Sequence, residues 1–165
     1  MNLSITPTGE HTQISEFDPV LFFHKLSVQF DREFGGFSGA PKFLMPSVYR
    51  LLLHDYHILK NDQALEHVVL TLNRMASGGI YDQVGGGFAR YSTDEYWKVP
   101  HFEKMLYDNA QLITLYSEAY MVSRQERLKA IALETLQFLE REMGTPETGF
   151  SASIDADSPE GEGSF

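Results

Sequence analysis

No cysteine occurs in the 165 residues. Disulfides, thiolate zinc sites and thiol nucleophiles are therefore excluded within the chain. Long apolar runs are also missing, and none approaches the roughly 20 residues of a membrane span. Residues 1–13 lack the basic-then-apolar order of a signal peptide, which makes a cytoplasmic location the expectation. Cations are scarce: 13 Lys and Arg stand against 23 Asp and Glu, for a net charge of −10. Nonspecific nucleic-acid binding needs clustered cations to neutralise phosphates, so nucleic acid is not an expected partner, and neither is a membrane.

What is present is an ordinary globular composition, 42% hydrophobic and 22% charged, on a chain long enough for one domain with a real core. Phe (12) and Tyr (8) are abundant, and the 13 Gly fall in clusters. Residues 1–17 read as an irregular lead-in, and residues 18–165 as the domain. Asp18-Pro19 predicts a helix start, with Val20, Phe23, Leu26 and Phe30 at helical spacing and Gly35-Gly36 as the stop. Pro46 opens a second helix to about Asn61, and Asp62 caps a third that ends at Gly78-Gly79. A long irregular segment follows to about Val99; its length points to function and its aromatics disfavour disorder. Pro100 is expected to open a fourth helix to about Val122, apolar nearly all round and therefore buried. A fifth runs from about Gln125 to Met143, followed by a strand-like stretch from Gly149 to Ile154.

These segments repeat. The first, third and fifth helices each lead into a Gly-aromatic or Gly-aliphatic loop: Gly36-Phe37, Gly79-Ile80 and Gly149-Phe150. Antiparallel hairpins in that order place all the Gly-rich loops at one end. The fold expected is all-α, with stacked helical hairpins in a solenoid or a closed α/α toroid.

Two strings are distinctive: Gly79 to Ser92 (GIYDQVGGGFARYS) and Trp97 to Ala110 (WKVPHFEKMLYDNA). With the GGFSGAPKF run from Gly35 to Phe43 and the Gly149 to Gly163 segment, they resemble the YyaL-type family, the spermatogenesis-associated, thioredoxin-domain-containing proteins. The resemblance implies part of an (α/α)6 toroid similar to sugar epimerases and six-hairpin glycosidases. It also implies that longer members carry a thioredoxin-like domain, of which this chain has neither the cysteines nor a βαβ pattern. The chain reads as about the first half of the toroid, with Leu44 where a proline is usual and Ser151 where an aromatic is usual.

The loops gather polar residues that helix packing does not need. His101, expected at the N-terminus of the fourth helix, is the first candidate for acid–base work, since a helix dipole there favours the neutral ring. The same residue could instead cap the helix. Asp108, within an apolar helix, reads either as a substrate-facing carboxylate or as the partner of Arg90, Lys104 or loop amides. Asp82 completes the candidate catalytic set. Arg90, Tyr91, Trp97, Glu103, Lys104, Tyr107, Asp155 and Asp157 are candidates for substrate binding, the aromatics because a flat ring suits the apolar face of a sugar. Asp155 and Asp157, if on one strand, point the same way and could hold a cation or share a proton; Asp157-Ser158-Pro159 reads more readily as a turn in an acidic tail. Gly85-Gly86-Gly87 lacks dinucleotide spacing, and His24, His54, His57 and His67 look like ordinary helix histidines, so no metal or cofactor is assigned.

Two functions follow as expectations. One is a carbohydrate site at the loop end, epimerase-, isomerase- or glycosidase-like, with a sugar or sugar-like molecule as partner. The other is a non-catalytic scaffold attached to the thioredoxin-like module. Helix faces left open by a partial toroid also predict a homodimer.

Overall fold

A computed structural model describes residues 18–158 and 161–162. The lead-in predicted over residues 1–17 lies outside them. Five α-helices are described: α1 (Pro19–Ser27), α2 (Pro46–Leu59), α3 (Asp62–Ser77), α4 (Leu106–Ser123) and α5 (Glu126–Phe138), the last running into a π-helical turn, Leu139–Met143. Short strands lie between and after them: β1 (Lys42–Phe43), β2 (Tyr91–Ser92), β3 (Pro100–His101), β4 (Lys104–Met105), β5 (Ser153–Ile154), β6 (Asp157–Ser158) and β7 (Gly161–Glu162).

Helix α4 is the centre of the packing and touches α2, α3 and α5. Its Leu112, Leu115, Tyr116 and Ala119 are fully buried, but Tyr107, Met121 and Val122 are exposed, so the helix is buried along one side and not all round as its apolar pattern predicts. The Tyr116 hydroxyl reaches the Leu72 carbonyl at 2.8 Å. Asp18 caps α1 as expected, accepting from the amides of Val20 (2.9 Å) and Leu21 (3.1 Å). Asp18→Ala should cost about 1 kcal/mol in urea unfolding; a loss of only a tenth or two would mean the cap does not form in solution.

Three boundaries differ from expectation. Helix α1 ends at Ser27, and Phe30 instead forms a β-bridge with Phe37. The N-cap of α3 is Asn61, whose side chain bonds Asp55 rather than the helix. Most consequential, Pro100 opens a strand: residues 100–105 are extended and α4 begins at Leu106. The sheet pairings explain this, because β3 is held by β2 and β4 by β5, and those ladder bonds outweigh the local signal from proline.

The Gly-rich loops do meet. The three-stranded sheet β1-β2-β3 joins the first loop to the second, and β4-β5 joins the second to the third. Two of the loops are copies. Phe30-Asp31-x-x-x-Gly35-Gly36-Phe37 and Tyr81-Asp82-x-x-x-Gly86-Gly87-Phe88 are both closed by an aromatic–aromatic bridge. In each, the Asp amide donates to the second Gly carbonyl at 3.0 Å. In each, Asp Oδ1 accepts two amides, two and three residues on, while Oδ2 takes a lysine. Lys42 binds Asp31 (2.5 Å) and the Gly35 carbonyl (2.7 Å); Lys104 binds Asp82 (2.8 Å) and the Gly86 carbonyl (3.0 Å). The glycine pairs have φ of +70° and +74°, and +79° and +80°, a region that favours glycine. Each second glycine lies under an aromatic ring from the next repeat, Gly36 under Trp97 and Gly87 under Phe138. The third loop is a shorter variant: Thr145 replaces the Asp and accepts the Gly149 amide, and a Gly144–Phe150 bridge closes it.

Candidate functional site

The extended run from 100 to 105 sorts the polar residues, because successive side chains point to opposite sides. Pro100, Phe102 and Lys104 line a cleft of about 660 Å³ shared with the second loop and the end of α5. His101 and Glu103 turn to the other side, beside Tyr91 and Arg90. The predicted site residues therefore fall into two groups rather than one mouth.

In the cleft group, Asp82 is committed. Burial alone would raise its pKa, but the Lys104 ammonium and the amides of Gly85 and Val84 outweigh it and hold the carboxyl below its usual range. Lys104 is spent on Asp82, on Gly86 and on the face of the Phe138 ring. This is the lock seen at Asp31 and Lys42. Its recurrence in a loop not assigned to the site marks it as loop architecture.

The second group is built on the three-stranded sheet. Its register places Phe43 beside Tyr91 and Tyr91 beside His101. The other row, Lys42, Ser92 and Pro100, is buried. The outward row is a ribbon of rings, with centroids 5.3 Å apart from Phe43 to Tyr91 and 5.0 Å apart from Tyr91 to His101. Phe43 is half exposed, at 50%, and Tyr91 and the His101 ring are partly exposed. At the histidine end, Arg90 is tied to Glu103 twice: backbone amide to carbonyl at 2.8 Å, and Nη1 to Oε2 at 2.8 Å. His101 Nε2 lies 3.8 Å from the same Glu103 oxygen. Tyr107, at the start of α4, interacts with both Arg90 and Asp108.

Asp108 is buried there. Desolvation raises its pKa to about 6, against the opposing pull of Arg90 and a Tyr107 hydrogen bond, while the nearby Glu103 charge adds to the rise. A carboxyl of that kind holds and releases a proton near neutral pH. The neighbouring Asn109 is fully used: its carbonyl accepts from the Phe88 amide (2.7 Å), and its amide donates to the carbonyls of Phe88 (3.0 Å) and Met105 (2.9 Å). Of the two costly polar residues, Asn109 serves the loop and Asp108 faces the Arg90–Glu103 cluster.

Other expectations need correction. His101 is on a strand, so no helix dipole acts on it. Trp97 is completely buried, with its indole N–H donating to the Phe34 carbonyl at 2.9 Å, so it offers no ring to a ligand. Asp155 and Asp157 are not a paired strand face; Asp157 N–H donates to Asp155 Oδ1 (3.2 Å) in a turn, and both are exposed. Phe43 was not among the residues expected at the site. Its signal in the sequence is its place at the end of the Gly35–Phe43 run, one residue after the lysine that locks the loop.

No family model matches the chain. Among curated proteins, it is 45% identical over 141 residues to human spermatogenesis-associated protein 20, covering 83% of this chain and 18% of that one. It is 35% identical over 161 residues to an uncharacterised Caenorhabditis elegans protein, covering 93% of this chain and 22% of the other. The chain thus spans about a fifth of the length of these relatives. Among solved structures, a sugar epimerase from a ruminal bacterium superposes with a TM-score of 0.71 at 21% identity, over 82% of this chain and 37% of that one. A family 76 glycoside hydrolase from a bovine Bacteroides thetaiotaomicron strain gives 0.62 at 18% identity, over 76% and 26%. At such identities the likeness establishes the fold, part of an α/α toroid. By its sequence relatives, the chain belongs to the family of spermatogenesis-associated protein 20.

Proposed function

We propose that the face formed by Tyr91, His101, Glu103, Arg90, Tyr107 and Asp108 binds a sugar, with Asp108 as its proton-carrying group. The carrying observation is the exposed ring row ending on a polar cluster that contains a buried carboxyl. One face of a pyranose presents C–H groups, which suit the negative face of an aromatic ring. Its hydroxyls need donors and acceptors, which Arg90, Tyr107, Glu103 and His101 supply. Asp108, titrating near neutrality, fits proton transfer of the epimerase or isomerase kind. The epimerase and glycosidase structures that share the fold add support by analogy.

A second reading has an observation behind it. The Arg90–Glu103 ion pair is internally satisfied, as a scaffold's network would be. Calorimetric titration with neutral mono- and disaccharides separates the two. Binding by the native chain, weakened about tenfold in Tyr91→Ala, is the expected result. Absence of binding to every sugar, in this chain and in a full-length relative, would favour the scaffold.

A further inference from the structure

Resting on the sugar-binding reading, we infer that Phe43 forms a second sugar subsite, so that the face takes linked sugars, a disaccharide or longer, in preference to a free monosaccharide. The polar cluster gathers at the His101 end, where one sugar ring would exchange its hydrogen bonds. The ring row runs away from that end across all three strands, and Phe43 is its far member. Phe43 is partnered on one side by Tyr91 and leaves half its surface uncovered.

Its conformation is also fixed from outside the site. The neighbouring Lys42 is buried and locked to Asp31 and Gly35, and β1 is paired to β2, so the ring is presented by a rigid strand. A rigid, half-exposed ring beside a polar cluster is a low-entropy anchor for a ligand. It lies beyond Tyr91, so a single sugar seated at His101 and Tyr91 leaves it unused.

The test compares a methyl glycoside of glucose or mannose with the corresponding β-1,4-linked disaccharides, titrated into the native chain, Phe43→Ala and Phe43→Tyr. Phe43→Ala should weaken the disaccharides about tenfold and leave the methyl glycosides unchanged. Phe43→Tyr should restore disaccharide binding, which also shows that the strand still folds. Equal losses for both ligand lengths, or no loss for either, would overturn the second subsite while leaving the sugar-binding reading in place. Failure of the native chain to bind either ligand would overturn both.

Discussion

Asp108→Asn is expected to raise the unfolding free energy at pH 7 by about 3 kcal/mol. The native carboxyl has a pKa of about 6, against 3.8 for the ordinary group. Between those two values the native state binds more protons than the unfolded chain, so stability falls as pH rises through the window. Above pH 6 the loss is complete, and asparagine, which does not titrate, does not incur it. Urea unfolding should therefore show variant and native chains close together near pH 4 and progressively apart toward pH 7. A gap independent of pH would mean that Asp108 is not destabilised by burial.

His67 runs the other way. Burial, assisted by the nearby Arg32 charge, lowers its pKa from 6.5 to about 4. The ring is stacked on Phe30 at 3.7 Å, and its Nε2 is buried without a hydrogen-bond partner among the described residues. From pH 4 to 6.5 the unfolded state binds more protons, so this contribution rises with pH. The two opposing slopes flatten the native profile between pH 4 and 6. Asp108→Asn should expose the histidine slope alone. A group that costs the fold stability where it works is the signature expected of a functional carboxyl rather than a structural one.

Much of the fold was legible because its signals are local. Helix periodicity located all five helices and the glycine stop held for α3 at Gly78, though α1 ends eight residues before Gly35; the recurrence of Gly-aromatic loops predicted that the loops share an end. The start of α4 was not legible. Pro100 is a good first helical residue by any local rule, and only pairing with Tyr91-Ser92, eight residues or more away, makes it a strand residue. That single displacement undid the expected geometry of His101 and Lys104. Expected in the first turns of a helix, the two side chains lie instead on opposite sides of an extended run. The fate of Trp97 was hidden for a similar reason. Nothing local says that its ring closes over a glycine sixty-one residues earlier. The repeat of Asp31 and Asp82, by contrast, is visible in the sequence once the two loops are aligned on their Gly-Gly pairs, and it separates a loop lock from a candidate site residue.

The same alignment makes Gly87 a position where one added methyl should do harm. Its φ of +80° strains any L side chain, and an added Cβ would overlap the Phe138 ring, a fully buried side chain at the end of α5. Backbone strain of about 1 kcal/mol and overpacking of about 2 kcal/mol give Gly87→Ala an expected loss of about 3 kcal/mol. Gly39 provides the control. Its φ is +94°, yet an added Cβ there meets nothing within 4 Å, so Gly39→Ala carries only the strain. The difference between the two variants in urea unfolding isolates the cost of forcing Phe138 off its loop. Phe138 also lies under the Lys104 ammonium at 4.5 Å from its centroid, so displacing it should loosen the lysine that holds Asp82. Because β4 carries Lys104 and leads directly into α4, the damage should reach Asp108, lowering sugar affinity along with stability. Equal losses in the two glycine variants would show that the ring yields without resistance and that the loop lock does not depend on it.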